Sequence, residues 1–219
     1  MPPKIKVLLV DDHPLVREGL ANLITREPDL EVCAEAGTEP EALQLIGATN
    51  PDVVIVDLTL ESGSGLELVK SIKAIHPGVV TLVLSMHEET LYAERALRAG
   101  ARGYIMKREA TKKVVSGIRA VRAGQLFVSE KISVRMAQKF VDGRTSAAAT
   151  PAEQLSDREL EVFQLLGRGL STRQIAEHLH VGFKTVQAYA ARIKEKLGLA
   201  NASELMREAI RWQESQQPK

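Results

Sequence analysis

One cysteine stands in 219 residues. Cys33 has no partner for an internal disulfide and no companions for a multi-cysteine zinc site, and in LEVCAEA it reads as a small core hydrophobe. Long apolar runs are missing as well. The opening MPPKIKVLLVDD offers four apolar residues before two acids, too few for a signal peptide. Nothing later approaches a membrane span, so cytoplasm is the expected compartment. No charge of one sign predominates, the net being +1. Residues 1–124 carry 15 Lys/Arg against 17 Asp/Glu, residues 125–152 four against two, and residues 153–219 ten against nine. Only Lys184 to Lys196, four Lys/Arg against Glu195, concentrates positive charge. Internal repeats and low-complexity tracts are absent. What remains is a chain long enough for one large or two ordinary domains, with a 44% hydrophobic content ample for packed cores.

The most informative stretch is PDVVIVDLTL, residues 51–60. Val53, Val54, Ile55 and Val56 are continuous rather than alternating, as in a strand buried on both faces, and they run straight into Asp57. A carboxylate at the end of such a strand is tolerated where a cation or hydrogen-bond donors replace lost water. Around it, strands at residues 5–10, 30–35, 79–85 and 103–106 alternate with helices at 14–25, 40–49, 66–76, 88–99 and 111–123. Alternation of this kind predicts a parallel sheet with helices on both faces, whose ligands bind beyond the carboxyl ends of the strands. Those ends carry Asp11 and Asp12, Asp57, Ser85 and Lys107. Three carboxylates in one crevice call for a cation, and an all-oxygen donor set suits Mg²⁺. His13, His76 and His87 share no metal-ligand spacing and read as surface residues.

Asp11 and Asp12, Asp57, Ser85, Tyr104 and Lys107 together resemble the motif of bacterial response-regulator receiver domains, over residues 1–124. The resemblance implies that Asp57 accepts a phosphoryl group from a sensor histidine kinase. It also implies that Asp12, Asp57 and the Thr59 carbonyl ligate Mg²⁺ with help from Asp11, and that Lys107 contacts the phosphoryl group. Ser85 and Tyr104 would be the switch pair, Ser85 moving toward a phosphoryl oxygen and Tyr104 then turning inward. Two positions depart from the family pattern: Glu61 and Arg108 stand where prolines are common.

Residues 125–152 read as a linker with a possible short helix carrying Val134, Met136 and Phe140, and residues 142–153 as its flexible part. Beyond it, Ser156 with Glu159, and Ser171 with Gln174, are capping-box patterns. A tight turn at His180, Val181 and Gly182 joins the second of these helices to a third, residues 183–197, which makes a helix-turn-helix. Val186, Ala190, Ile193 and Leu197 mark the inner face of the third helix. A final amphipathic helix, residues 201–212, carries Leu205, Ala209 and Trp212. This half resembles the four-helix DNA-binding domain of the LuxR/NarL/FixJ class, in residues 153–213, through LSDRE, GRGLS, QIAEHL, KTV and KLG. The resemblance implies that Lys184, Thr185, Gln187, Ala188, Ala191, Arg192 and Lys196 face DNA and that the last helix dimerises. Glu177 and His178 stand where basic residues are frequent, and Gly182 replaces the usual hydroxyl cap.

The fold class expected is therefore α/β, a flavodoxin-like doubly wound five-stranded parallel receiver domain, plus an all-α four-helix helix-turn-helix domain and a short tail at 214–219. The expected function is non-enzymatic: a phosphorylation-controlled regulator that binds double-stranded promoter DNA as a homodimer when phosphorylated. A phosphatase of the haloacid-dehalogenase type also uses a strand-end aspartate with Mg²⁺, but it wants a second acid where this chain has Thr59. A pure interaction module leaves the helix-turn-helix unexplained, and a DNA-binding protein without phosphorylation is separable by labelling from a small phosphodonor.

Overall fold

A computed structural model describes residues 3–60, 63–141 and 151–216. The chain divides into two compact units, residues 1–142 and 143–219. In the first, strands β1 (Ile5–Val10), β2 (Leu30–Ala36), β3 (Val53–Val56), β6 (Val80–Ser85) and β7 (Gly103–Met106) form one sheet in the order β2-β1-β3-β6-β7. All its pairings are parallel. A two-residue hairpin, β4 (Thr59–Leu60) with β5 (Gly63–Ser64), interrupts the expected alternation just after β3. Helices α1 (Pro14–Ile24), α2 (Glu39–Thr49), α3 (Gly65–Ile75), α4 (Glu89–Ala99) and α5 (Ala110–Arg122) connect the strands. The order reverses between β1 and β3, which places their carboxyl ends at the crevice of a doubly wound sheet.

Local chemistry accounts for these elements. Pro14 and Pro40 sit in first turns, where a missing N–H costs nothing, and the Thr38 side chain caps α2 by accepting from the Glu41 N–H. Val7, Leu9, Ile55, Leu82, Leu84 and Ile105 bury one face of the sheet against Leu20, Ile24, Ile118 and Val121 of α1 and α5. Cys33 lies at the margin of this packing, half-buried, its Sγ 3.4 Å from the Val7 carbonyl oxygen. It is therefore not the fully buried core residue that its context suggested. Gly65 opens α3 against the end of β3 so closely that an added Cβ would collide with the Asp57 carbonyl oxygen and lie 2.6 Å from the Leu58 Cα. Only glycine fits there.

The first unit continues beyond the boundary expected at residue 124. Phe127 bridges to Gly103 in parallel at the free edge of β7, its carbonyl accepting from the Tyr104 N–H at 2.8 Å and its N–H donating to Arg102 at 2.9 Å. Helix α6 (Glu130–Val141) then lies on α4 through Ile132, which is buried, and through Lys139 to Glu94 at 2.7 Å. Val134, one of the apolar residues expected on this helix, is 49% exposed, whereas Ile132 is buried. An unpaired sheet edge is a liability, and this return of the chain covers it. The expected flexible stretch at 142–153 falls for its residues 142–150 outside the described residues, as does Glu61. Its last residues belong to a turn of helix, α7 (Pro151–Gln154).

The second unit contains α8 (Asp157–Gly167), α9 (Thr172–His178), α10 (Phe183–Leu197) and α11 (Ala202–Gln216). Both capping boxes form, at Ser156 with Glu159 and at Ser171 with Gln174. His180 takes a left-handed conformation in the turn between α9 and α10, and Gly198 ends α10 in the same region at φ 66°. Leu160, Phe163, Ile175, Val186, Ile193, Leu205, Ala209 and Trp212 are buried in the core. Helix α11 runs on to Gln216, beyond the end expected near residue 212. No helix of the described residues is long and apolar enough to cross a membrane.

Candidate functional site

At the carboxyl ends of β1 and β3, ligand atoms of Asp11, Asp12, His13 and Asp57 lie within 4.8 Å of one another. Asp57 is 4% exposed, and burial pushes its carboxyl up to about 6, Lys107 working against that rise. Lys107, leaving β7 in a 3-10 turn (Lys107–Glu109), spans two of the acids, with Nζ 2.6 Å from Asp11 Oδ2 and 2.7 Å from Asp57 Oδ2. Burial alone would lower the Lys107 pKa; the two carboxylates outweigh it and raise it. Arg108 continues that turn with a trans peptide in place of the family's proline. Asp12 Oδ1 is buried without a hydrogen-bond partner, its contact with His13 Nδ1 at 2.6 Å being an ion-pair distance without hydrogen-bond geometry. An unsatisfied buried carboxylate oxygen beside two further acids suits a hard divalent cation.

The remaining expected residues stand around this cluster. The Thr59 N–H donates to Asp57 Oδ1 at 3.3 Å. Ser85 is fully buried, its Oγ accepting from the His87 N–H at 3.1 Å. Tyr104 is already inside, 3% exposed, and donates its hydroxyl to the His87 carbonyl oxygen at 2.7 Å. Burial raises its pKa. Tyr104 thus already stands inward, the position expected of it after phosphorylation. The phenol already has its acceptor inside the fold.

His87 is the residue that sequence reasoning missed. Rather than a surface histidine, it is half-buried, with Nε2 3.1 Å from Thr59 Oγ1 and its ring stacked on Tyr92 of α4 at 4.5 Å. Its position two residues beyond Ser85 was the only available signal, since contacts between loops of different strands leave no spacing to read.

In the second unit, Lys184, Thr185, Gln187, Ala188, Ala191 and Arg192 are all exposed on α10, while Val186 and Ile193 point into the core. Gly182 caps the helix with no side-chain bond. Lys196 differs from the rest of the expected DNA-facing set. Its Nζ lies 2.6 Å from Oε2 of Glu159, a carboxylate only 3% exposed that also accepts from the Ser156 N–H at 2.8 Å. A buried acid needs a cation, and the last turn of α10 supplies it.

Comparison with known proteins follows the same division. Residues 7–119 match the response regulator receiver domain, and residues 153–209 match the bacterial regulatory proteins of the luxR family. The oxygen regulatory protein NreC of Staphylococcus epidermidis is 34% identical over 212 residues, covering 94% of this chain and 97% of its own. The chain belongs to the LuxR-type response regulators. Among solved structures, a LuxR-family two-component response regulator from Aurantimonas is 38% identical with a TM-score of 0.58, covering 63% of this regulator and 99% of itself. A Salmonella typhimurium RcsB structure, concerned with conformational dynamism for DNA interaction, is 25% identical with a TM-score of 0.56, covering 93% of this regulator and 97% of itself.

Proposed function

We propose that this response regulator is switched by phosphorylation of Asp57 and reads promoter DNA with α10. That it is a phosphorylation-regulated, DNA-binding transcription regulator follows from its family and its two domains. The observation that carries the assignment to Asp57 is its burial at the carboxyl end of β3 in bridging contact with Lys107. With its pKa at about 6, the carboxylate is mostly ionised near neutrality and is a competent nucleophile. One oxygen attacks the phosphorus of a phosphohistidine on a sensor histidine kinase, the P–N bond breaks, and the imidazole leaves. Lys107 holds the oxygens that gain charge. The Thr59 N–H, which already donates to Asp57 Oδ1, and the Ser85 hydroxyl would serve the same group. Asp11, Asp12, Asp57 and the Thr59 carbonyl would hold Mg²⁺, which when bound neutralises charge on the transferring group. A groove of about 570 Å³ opens beside Lys107, with Leu15, Val16, Leu23, Met86 and Arg108 in its lining.

On the DNA side, Lys184 and Arg192 supply phosphate contacts while Gln187 reads a base edge, helped by methyl contacts from Ala188, Ala191 and Thr185. Lys196, held by Glu159 yet 41% exposed, has further N–H donors to offer a phosphate. Dimerisation on phosphorylation would double these contacts and fix half-site spacing. The protein acts in the cytoplasm and is not an enzyme in this reading. Labelling by acetyl phosphate tests the acceptor: Asp57→Asn should abolish it, and chelation of divalent ions should do the same to the parent protein. Label surviving both would refute the site.

A further inference from the structure

The acid pocket has a nitrogen among its oxygens. His13 Nδ1 lies 2.6 Å from Asp12 Oδ1 and 3.3 Å from Asp11 Oδ1, and with Asp57 these residues offer four ligand atoms within 4.8 Å of one another. Two ligands bound to one ion at about 2.0–2.2 Å stand roughly 3 Å apart when adjacent, so these separations are those of neighbours in a coordination shell. The contact with Asp12 is not a hydrogen bond, since Asp12 Oδ1 is buried and has no partner. Nδ1 and Oδ1 are therefore close without either donating to the other, as two atoms are whose lone pairs share an ion. The main chain fixes where the ring stands. His13 precedes Pro14, which confines it to extended conformations, and it sits at φ −93°, ψ 108°. Its carbonyl accepts from the Val16 and Arg17 N–H groups at 3.1 and 3.2 Å, closing the first turn of α1, while its own N–H donates to Asp11 Oδ1 at 2.9 Å. The side chain is 65% exposed, so it contributes little to the core and is open to an ion arriving from solvent.

We propose that His13 is a nitrogen ligand of this pocket, which thereby takes first-row transition ions such as Ni²⁺ in competition with Mg²⁺. An imidazole suits Zn²⁺, Ni²⁺ and Cu²⁺, whereas Mg²⁺ favours carboxylate, carbonyl and water oxygens. The carboxylates of Asp11, Asp12 and Asp57 supply the charge that either kind of ion needs. What separates the two kinds is one neutral ligand, and His13 is the residue placed to provide it. Mg²⁺ gains little from the ring, while Ni²⁺ gains a bond to Nδ1 beside its bond to Asp12. The Asp57 pocket thus answers to which divalent ion is present as well as to phosphorylation.

This inference rests on the reading that the pocket holds a divalent ion, and the experiment separates the two. Titration calorimetry of the full chain with MgCl₂ and with NiCl₂ gives both affinities for the parent, for His13→Ala and for His13→Gln. Loss of the imidazole should cost Ni²⁺ at least about 10-fold more than it costs Mg²⁺, since even the outer partners of a metal ligand bring losses of about 10–100-fold. His13→Gln, which also lacks an imidazole, should behave as His13→Ala does, and either decides alone should the other fail to fold. Saturating Mg²⁺ should move the Ni²⁺ isotherm of the parent to higher concentration, as one shared site requires, and Asp57→Asn should weaken both ions. In proton NMR of the parent, substoichiometric Ni²⁺ should broaden the His13 ring signals ahead of those of His76, His178 and His180. A ratio of Ni²⁺ to Mg²⁺ affinity that changes by less than about 10-fold in the His13 variants overturns the nitrogen ligand, as does bound Ni²⁺ that Mg²⁺ does not displace. A His13 that served only to hold α1 would lower both affinities together and leave that ratio where it was. A parent chain that binds neither ion sinks the pocket reading and this inference with it.

Discussion

Replacing Lys196 with methionine should destabilise the second unit, and should do so through Glu159. The carboxylate is 3% exposed and accepts from the Lys196 ammonium at 2.6 Å and from the Ser156 N–H at 2.8 Å. A hydrogen bond between charged groups contributes about 1.5–3 kcal/mol. The lysine side chain is 41% exposed, so screening trims this to about 1–2 kcal/mol. For a unit of this size the loss corresponds to a melting point lower by roughly 5–15 °C. Burial works to raise the Glu159 pKa, but the bonds from Lys196 and Ser156 outweigh it and hold the carboxyl below the usual glutamate range. A carboxylate depressed in the folded state contributes stability above its unfolded value near 4.5 and loses it as pH falls through the folded value. The gap between parent and variant should therefore be full at pH 7 and close on acidification below about pH 4.5. Trp212 is the only tryptophan and is buried 5.6 Å from Phe163, so its fluorescence reports this unit within the intact chain. Unfolding followed by that signal at several pH values is the assay. Equal midpoints at pH 7, or a gap that widens in acid, would refute the reasoning.

Gly65→Ala should cost the first unit about 3 kcal/mol or more, since the new methyl collides with the Asp57 carbonyl oxygen and backbone must move. Urea unfolding of the full chain by circular dichroism measures it, and a loss under about 1 kcal/mol would show that α3 can shift freely. On α10, Lys184→Ala should weaken all DNA sequences alike and flatten the salt dependence by about one unit, whereas Gln187→Ala should cost about 1–3 kcal/mol only on the preferred site. Equal losses on specific and random DNA for both variants would contradict that division.

The parts of this fold that were legible in the sequence are those set by short-range pattern. Four branched apolar residues before Asp57 announce a buried strand, and Val53 to Val56 are that strand. Ser156 with Glu159 and Ser171 with Gln174 announce helix starts because both partners of each box lie within one turn. Legibility fails where a residue's role depends on what comes back from far along the chain. Ile132 rather than Val134 faces inward because α6 lies on α4, some forty residues earlier. Phe127 belongs to the sheet because β7 has a free edge, and no local feature of RAGQLF says so. Lys196 reads as a phosphate ligand because it lies on a basic helix, and its bond to a buried acid 37 residues away leaves no local signal. His87 is the same case at the site itself: it meets Thr59 just after β3, Ser85 at the end of β6, Tyr104 within β7 and Tyr92 of α4.

The charge balance of the acid pocket sets what a phosphoryl group on Asp57 would require of its neighbours. Asp11, Asp12 and Asp57 together carry three negative charges when ionised, and one Lys107 cannot match them. A divalent cation would bring the pocket close to neutral, and it would compete with Lys107 for Asp11 and Asp57, because the ammonium already occupies Oδ2 of both. Phosphorylation replaces the single charge of Asp57 with about two. The pocket is then short by about one positive charge, and this deficit falls on neutral dipoles within reach. The Thr59 N–H, which already donates to Asp57 Oδ1, is one such dipole, and the Ser85 hydroxyl, whose oxygen accepts from the His87 N–H, is the expected second. The Ser85 hydroxyl can donate its proton to a phosphoryl oxygen while its oxygen still accepts from the His87 N–H, so meeting the added charge does not by itself cost the bond already formed.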